Sequence, residues 1–80
     1  NNNNSLDFKV FPNPTADELK FNFSDTNNEI YILDSNGKLV YSGYANDDVY
    51  KIDVSEFPSG IYYVKVLNNN ASLSSTFMKI

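Results

Sequence analysis

The stretch Glu18-Leu19-Lys20-Phe21-Asn22-Phe23 decides the fold, because its side chains alternate between polar and apolar at every step. Alternation with a period of two places all the apolar side chains on one face of a β-strand. An amphipathic helix would instead need apolar residues three and four positions apart. The segment therefore predicts a strand with one face in a hydrophobic core and the other face in water.

Comparable apolar runs recur along the chain, separated by Gly, Pro, Asn, Asp or Ser, and no segment has the periodicity of a helix. They predict strands at Phe8–Phe11, Glu18–Phe23, Glu29–Asp34, Lys38–Ser42, Val49–Val54, Ile61–Leu67 and Leu73–Ile80. About seven short strands at this spacing are typical of two packed sheets. The sequence thus predicts an all-β fold, a small antiparallel β-sandwich that is immunoglobulin-like.

Turn residues refine this prediction at two places. Asn36-Gly37 is the strongest hairpin signal in the chain, since both residues tolerate the positive φ that a type I′ turn requires. The run Asn68-Asn69-Asn70 predicts a second hairpin. Polar residues at 74–76 interrupt the alternation of the last strand, which we therefore expect at the edge of a sheet.

Length and composition describe one small domain. Eighty residues suffice for one core, and six tyrosines and six phenylalanines can close it without a disulfide or a metal ion. We interpret the asparagine-rich residues 1–6 as the remnant of a polar linker, and residues 7–80 as the domain. The net charge of −4 argues against a nucleic-acid partner, because binding to phosphate backbones needs clustered cations.

The residues of common active sites are missing. The chain has no histidine and no cysteine, so it lacks the usual general base, soft metal ligands and thiol nucleophile. Adjacent Asp47 and Asp48 would point to opposite faces of a strand, and we interpret them as a solvated turn. The run Asp34–Gly37 lacks the ligand spacing of a calcium loop. We expect no catalytic residue, no metal site and no cofactor, and hence no enzyme.

Three blocks of sequence combine turn residues with motif residues. They are Phe11, Pro12, Asn13 and Pro14 in the first block, Asp34 and Gly37 in the second, and Asp53, Ser55, Gly60 and Tyr62 in the third. In this order they resemble one family, the C-terminal sorting domains of the type IX secretion system, of type A. The third block is the most specific of them. Together with the strands between them, these blocks span nearly the whole chain.

The resemblance implies a secretion signal that directs an attached N-terminal passenger across the outer membrane of a Gram-negative bacterium, by way of the periplasm. It implies the outer-membrane type IX translocon and a sortase-like peptidase as partners, with cleavage or surface attachment at the end of the route. The protein would then be secreted or held at the cell surface. The candidate recognition residues are Phe77, Met78, Lys79, Ile80, Tyr31 and Tyr63.

Two other functions fit a small secreted β-sandwich. Exposed tyrosines can stack on sugars, so the chain could be a carbohydrate-binding module, although it has no tryptophan. It could also be a structural, fibronectin-like module of a secreted multidomain protein. A sorting module must end its parent protein, whereas these modules can lie anywhere in theirs.

Overall fold

The computed structural model describes residues 8–23, 27–68 and 71–80 of the chain. The predicted linker at residues 1–6 and the turn residues 69 and 70 lie outside these ranges. The described residues form seven strands and no helix, which confirms the predicted fold class. The strands are β1 (Phe8–Phe11), β2 (Glu18–Phe23), β3 (Asn28–Leu33), β4 (Leu39–Ala45), β5 (Val49–Asp53), β6 (Gly60–Asn68) and β7 (Ala71–Lys79).

The strands form two sheets that face each other. One sheet has the order β1-β2-β5 and the other the order β4-β3-β6-β7, and every pair of neighbouring strands is antiparallel. The predicted sandwich is therefore confirmed. As expected, β7 lies at an edge of the four-stranded sheet, where one parallel bridge joins its residue Lys79 to Thr15.

The core lies between the sheets and follows the period of two seen in the sequence. In β2 the apolar residues Leu19, Phe21 and Phe23 are buried, while Glu18 and Asn22 face water. The opposite sheet adds its own inward row, which consists of Ile30, Ile32, Tyr62, Val64, Val66 and Phe77. Burial of large apolar side chains is the main favourable term in the folding of such a domain.

The hairpin predicted at Asn36-Gly37 exists, but the predicted type I′ turn is wrong. Only Gly37 has a positive φ, of 84°, whereas a type I′ turn requires one at both central residues. The reason is the side chain of Asp34, whose Oδ1 accepts hydrogen bonds from the amides of Asn36 (2.9 Å) and Lys38 (3.0 Å). This Asx-type bonding selects a turn that closes with one left-handed glycine.

The two sheets are also joined through tyrosines. The hydroxyl groups of Tyr41 in β4 and Tyr50 in β5 lie 2.6 Å apart and share a hydrogen bond. Burial, followed by this bond, raises the pKa of Tyr41 to about 12. Gly43 leaves room for the pair, because a Cβ at that position would lie 2.5 Å from the Tyr50 hydroxyl oxygen.

Candidate functional site

The three sequence blocks and the last strand meet at one end of the sandwich, although they are far apart in sequence. The strand register places Gly60 opposite Lys79 and Leu33 opposite Tyr63, so the turn after β3, the start of β6 and the end of β7 are neighbours. The segment before β2 completes this end. We call it the motif end, and it consists of residues 12–17, 34–38, 54–60 and 78–80.

The first block holds the edge of β7. The amide of Met78 donates a hydrogen bond of 2.9 Å to Asn13 Oδ1, and its carbonyl accepts one of 2.9 Å from the amide of Thr15. The Thr15 carbonyl in turn accepts the amide of Ile80 at 2.9 Å. Both prolines of the block follow cis peptide bonds. Asn13 and Thr15 therefore form a latch that satisfies three backbone groups at the end of β7.

Thr15 is the centre of this latch and is 1% exposed. Its hydroxyl donates a hydrogen bond of 2.7 Å to the carbonyl of Glu18, which fixes the residue against the start of β2. Buried polar groups need such partners, because an unpaired one costs about 1–3 kcal/mol. No sequence pattern singled out Thr15, since a threonine after a proline is common in any loop.

The latch leads to a prediction for Asn13. Asn13→Ala removes the acceptor of the Met78 amide, and we expect faster hydrogen exchange at Met78 together with a loss of stability of about 1 kcal/mol. Asn13→Asp keeps an oxygen at the same position and is expected to preserve the slow exchange. Exchange rates measured by NMR for both variants test the latch. Equal rates at Met78 in Asn13→Ala and the unmodified chain would contradict it.

The third block also fixes the backbone through hydrogen bonds, as Asp34 of the second block does in the β3–β4 turn. The carboxylate of Asp53 accepts the amide of Ser55 at 2.9 Å, and the Ser55 hydroxyl bonded to it lowers the pKa of Asp53. The amide of Phe57 then donates to the carbonyl of Val54 at 3.0 Å. These bonds turn the chain from one sheet towards the other, and Phe57 packs half-buried against the core.

Tyr62 completes the third block as a tyrosine corner, in which a tyrosine hydroxyl bonds the backbone a few residues upstream. Its hydroxyl donates a hydrogen bond of 2.6 Å to the carbonyl of Pro58. Burial first, and then the charge of Asp34, raise the pKa of Tyr62. Gly60, which lies between the bonded residues, has a φ of 148°. Residues that carry a side chain rarely adopt this backbone conformation, so glycine is required at this position.

The exposed apolar side chains are concentrated at the motif end. Of the nine large hydrophobic residues that the described ranges expose, seven lie there or on the strand residues next to it, and only Tyr44 and Val49 lie towards the opposite end. The seven are Phe11, Leu39, Val40, Ile61, Tyr63, Met78 and Ile80. An uneven concentration of this kind is typical of surfaces that contact partners.

The six candidate recognition residues divide into two groups. Met78, Ile80 and Tyr63 are exposed, and Tyr31 is half-buried with its hydroxyl 3.3 Å from Glu29 Oε1. Phe77 and Lys79 are only 1% and 8% exposed, because odd-numbered residues of β7 face the other sheet. In the folded domain these two side chains face the core rather than solvent. The recognition role of all six residues stays a prediction.

The motif end carries a cleft. A cleft of about 350 Å³ lies between the β3–β4 turn and the segment before β6, lined by Asp34, Ser35, Lys38, Val40, Pro58, Ser59, Gly60, Ile61 and Tyr62. Its Asp34 carboxylate is already used by backbone amides. In the ranges that the structure describes, no three acidic residues are grouped to hold a metal ion. Nor do these ranges contain a helix able to cross a membrane.

The sequence model of the family described as secretion system C-terminal sorting domain matches residues 9–80, which include all three blocks and the last strand. The chain belongs to this family. The predicted recognition of a type IX C-terminal sorting domain is thereby confirmed. No curated protein sequence matches this sorting domain.

Among solved structures, the sorting domain is similar to part of PorZ, described as an essential bacterial surface component of the type IX secretion system of Porphyromonas gingivalis. The match has a TM-score of 0.81 and 23% sequence identity, and it covers 91% of this chain but 11% of PorZ. At this identity the likeness shows a shared β-sandwich fold. Family membership implies a role in secretion and a protein that is secreted or held at the cell surface.

Proposed function

We propose that this sorting domain directs an N-terminal passenger across the outer membrane through the type IX translocon, and that it does so without catalysing any reaction. The convergence of three separate sequence blocks and the last strand at the motif end carries the proposal. Side-chain hydrogen bonds from these blocks fix the backbone of that end, and they come from Asn13, Asp34, Asp53 and Tyr62. The shape so fixed presents an apolar surface suited to recognition by a protein partner.

The centre of the proposed recognition surface is the pair Ile61 and Met78. These residues are cross-strand partners, on the outer face of the four-stranded sheet, and are 39% and 47% exposed. Tyr63 and Ile80, at 47% and 65%, extend the surface on either side. Directly opposed apolar side chains form a continuous patch, and such patches supply most of the affinity at the centre of an interface.

Separation of the passenger from the sorting domain after export is also part of the proposal. A sortase-like peptidase would cut, or replace, the bond to the passenger at or before the polar residues 1–5, ahead of β1. Cleavage needs a backbone segment that can enter the protease in an extended form, and the paired strands of the domain do not offer one. The site of cleavage therefore separates the passenger from an intact sorting domain.

An export assay tests the proposal. An inert reporter with this chain fused to its C-terminus is expected in the culture medium or on the surface of a host with type IX machinery. The same fusion in a host without the translocon, and the reporter alone in the first host, are expected to stay inside. Equal export with and without the translocon would contradict the proposal.

A sugar-binding function is a second candidate, favoured by the exposure of Tyr63 and Tyr44. However, these tyrosines lie on different strands near opposite ends of the four-stranded sheet. Stacking platforms for sugars need aromatic rings close enough to contact one ligand. The described residues thus favour a surface for a protein over one for a carbohydrate.

A further inference from the structure

The outer edge of β7 is hydrogen-bonded to the latch only at its C-terminal end, at Met78. The amide and carbonyl of Met78 point away from β6, since they bond Asn13 and Thr15. In an antiparallel ladder the direction of these groups alternates at each residue. The amides and carbonyls of Ser72, Ser74 and Thr76 therefore also point outwards, and no described residue bonds them.

This free segment has none of the features that protect sheet edges from pairing. Natural edges are blocked by prolines, bulges and charged residues. The segment Ala71–Thr76 contains no charge and no proline, and it pairs with β6 without a bulge. By contrast, the β4 edge has a register shift where β3 passes from Ile32 to Leu33. Charged side chains lie on both other edges, at Lys9 in β1 and in β5.

The charge beside this edge is positive, although the chain as a whole is negative. β6 and β7 contain no acidic residue, and Lys65 lies directly opposite Ser74. Lys65 is exposed and makes no ion pair with any residue that the structure describes. Neighbouring strands lie about 4.8 Å apart, so a glutamate on a strand added beyond Ser74 could reach Lys65 across β7.

We propose that the edge from Ser72 to Thr76 binds an extended, acidic strand of a partner protein, which adds to the four-stranded sheet beyond β7. This mode of recognition takes its affinity from backbone hydrogen bonds and its selectivity from alternate side chains. The inference rests on the proposed function, because the secretion machinery supplies the strand. A second copy of this chain does not fit, since its own β7 carries no acidic residue to pair with Lys65.

Proline substitutions at two matched serines test the edge. Ser74 and Ser42 lie at opposite ends of one cross-strand row, in which Tyr31 and Lys65 separate them. Both serines are exposed, and by the same alternation both amides point outwards from their edge strands. Proline is tolerated at such positions, yet it removes the donor and obstructs an added strand.

We expect Ser74→Pro to lower export of the reporter fusion about tenfold, and Ser42→Pro to leave it near the level of the unmodified fusion. Lys65→Glu is expected to lower export, and Lys65→Arg to preserve it. Thermal unfolding of the purified variants shows whether each domain is folded. If Ser74→Pro does not fold, the export of Lys65→Glu compared with that of Lys65→Arg tests the inference, because neither substitution alters the backbone.

Four results would overturn the inference. Equal export of the Ser74→Pro and Ser42→Pro fusions would show that the edge is not used, while the proposed function would stand. Full export of Lys65→Glu would exclude an acidic strand. A dimer of the purified chain that Ser74→Pro dissociates would make a second copy the occupant. Failure of the unmodified fusion to be exported would reject the proposed function, and this inference with it.

Discussion

Replacing Phe77 by alanine is expected to lower the free energy of unfolding by about 3–5 kcal/mol. The Phe77 ring is 1% exposed and stacks on Tyr62, with ring centroids 5.3 Å apart and an angle of 14° between the planes. A domain of 80 residues has a total stability of about 4–12 kcal/mol, so this loss is a large part of it. Urea unfolding measures the change directly.

Met78→Ala is the matched control, because Met78 is the next residue of β7 and faces outwards. It is 47% exposed, and substitutions at such positions usually change stability by about 0.5 kcal/mol or less. If both variants lost the same stability, β7 would not be anchored through Phe77. The pair also separates export defects that arise from unfolding from those that arise at the recognition surface.

Gly60→Val is expected to lower the free energy of unfolding by about 1–3 kcal/mol, through backbone strain rather than a clash. The φ of Gly60 is 148°, which a β-branched residue adopts only at a cost. No atom lies within 4 Å of the position that a Cβ would take. Denaturant unfolding is therefore expected to show a lower midpoint without evidence of altered packing.

Gly37→Asn provides the comparison for this strain. Gly37 has a φ of 84°, in a left-handed region that asparagine tolerates, and its Cβ position is also open. We expect this variant to remain close to the stability of the unmodified chain. A melting temperature for Gly60→Val as high as that of Gly37→Asn would show that the segment before β6 relaxes, and the account of Gly60 would fail.

Local patterns were sufficient to predict most of the fold. The alternation in β2, and the turn residues between the other strands, predicted all seven strands because each side chain faces either the core or water. The break at residues 74–76 correctly indicated an edge strand. Turn type was not predictable from Asn36-Gly37 alone, since the carboxylate of Asp34 competes for the same amides.

The candidate site depends on contacts that the sequence does not encode locally. Asn13 and Met78 are 65 residues apart, and nothing in either segment indicates that one side chain bonds the other backbone. The tyrosine corner was not predictable from the sequence either, because the Tyr62 hydroxyl reaches the carbonyl of Pro58 only once the chain has turned. Family resemblance identified the block residues, but their common position at one end of the sandwich required the structure.

This position changes how the family blocks are understood. Asn13, Asp34 and Asp53 each accept a backbone amide, and Gly60 permits the turn into β6. None of these four is an exposed large apolar residue, and of the ten block residues only Phe11 is one. We therefore infer that the blocks set the shape of the motif end, whereas the apolar side chains displayed on that shape make the contacts.

The central claim, that the motif end is what the secretion machinery recognises, is tested most directly by the exported fraction of two double variants in the reporter fusion. Ile61→Ser with Met78→Ser removes the exposed apolar pair of the motif end, and Tyr44→Ser with Val49→Ser removes the pair towards the opposite end. With both domains folded by circular dichroism, the account predicts that the first variant loses export and the second retains it. Retained export in the first variant, or an equal loss in both, would contradict it.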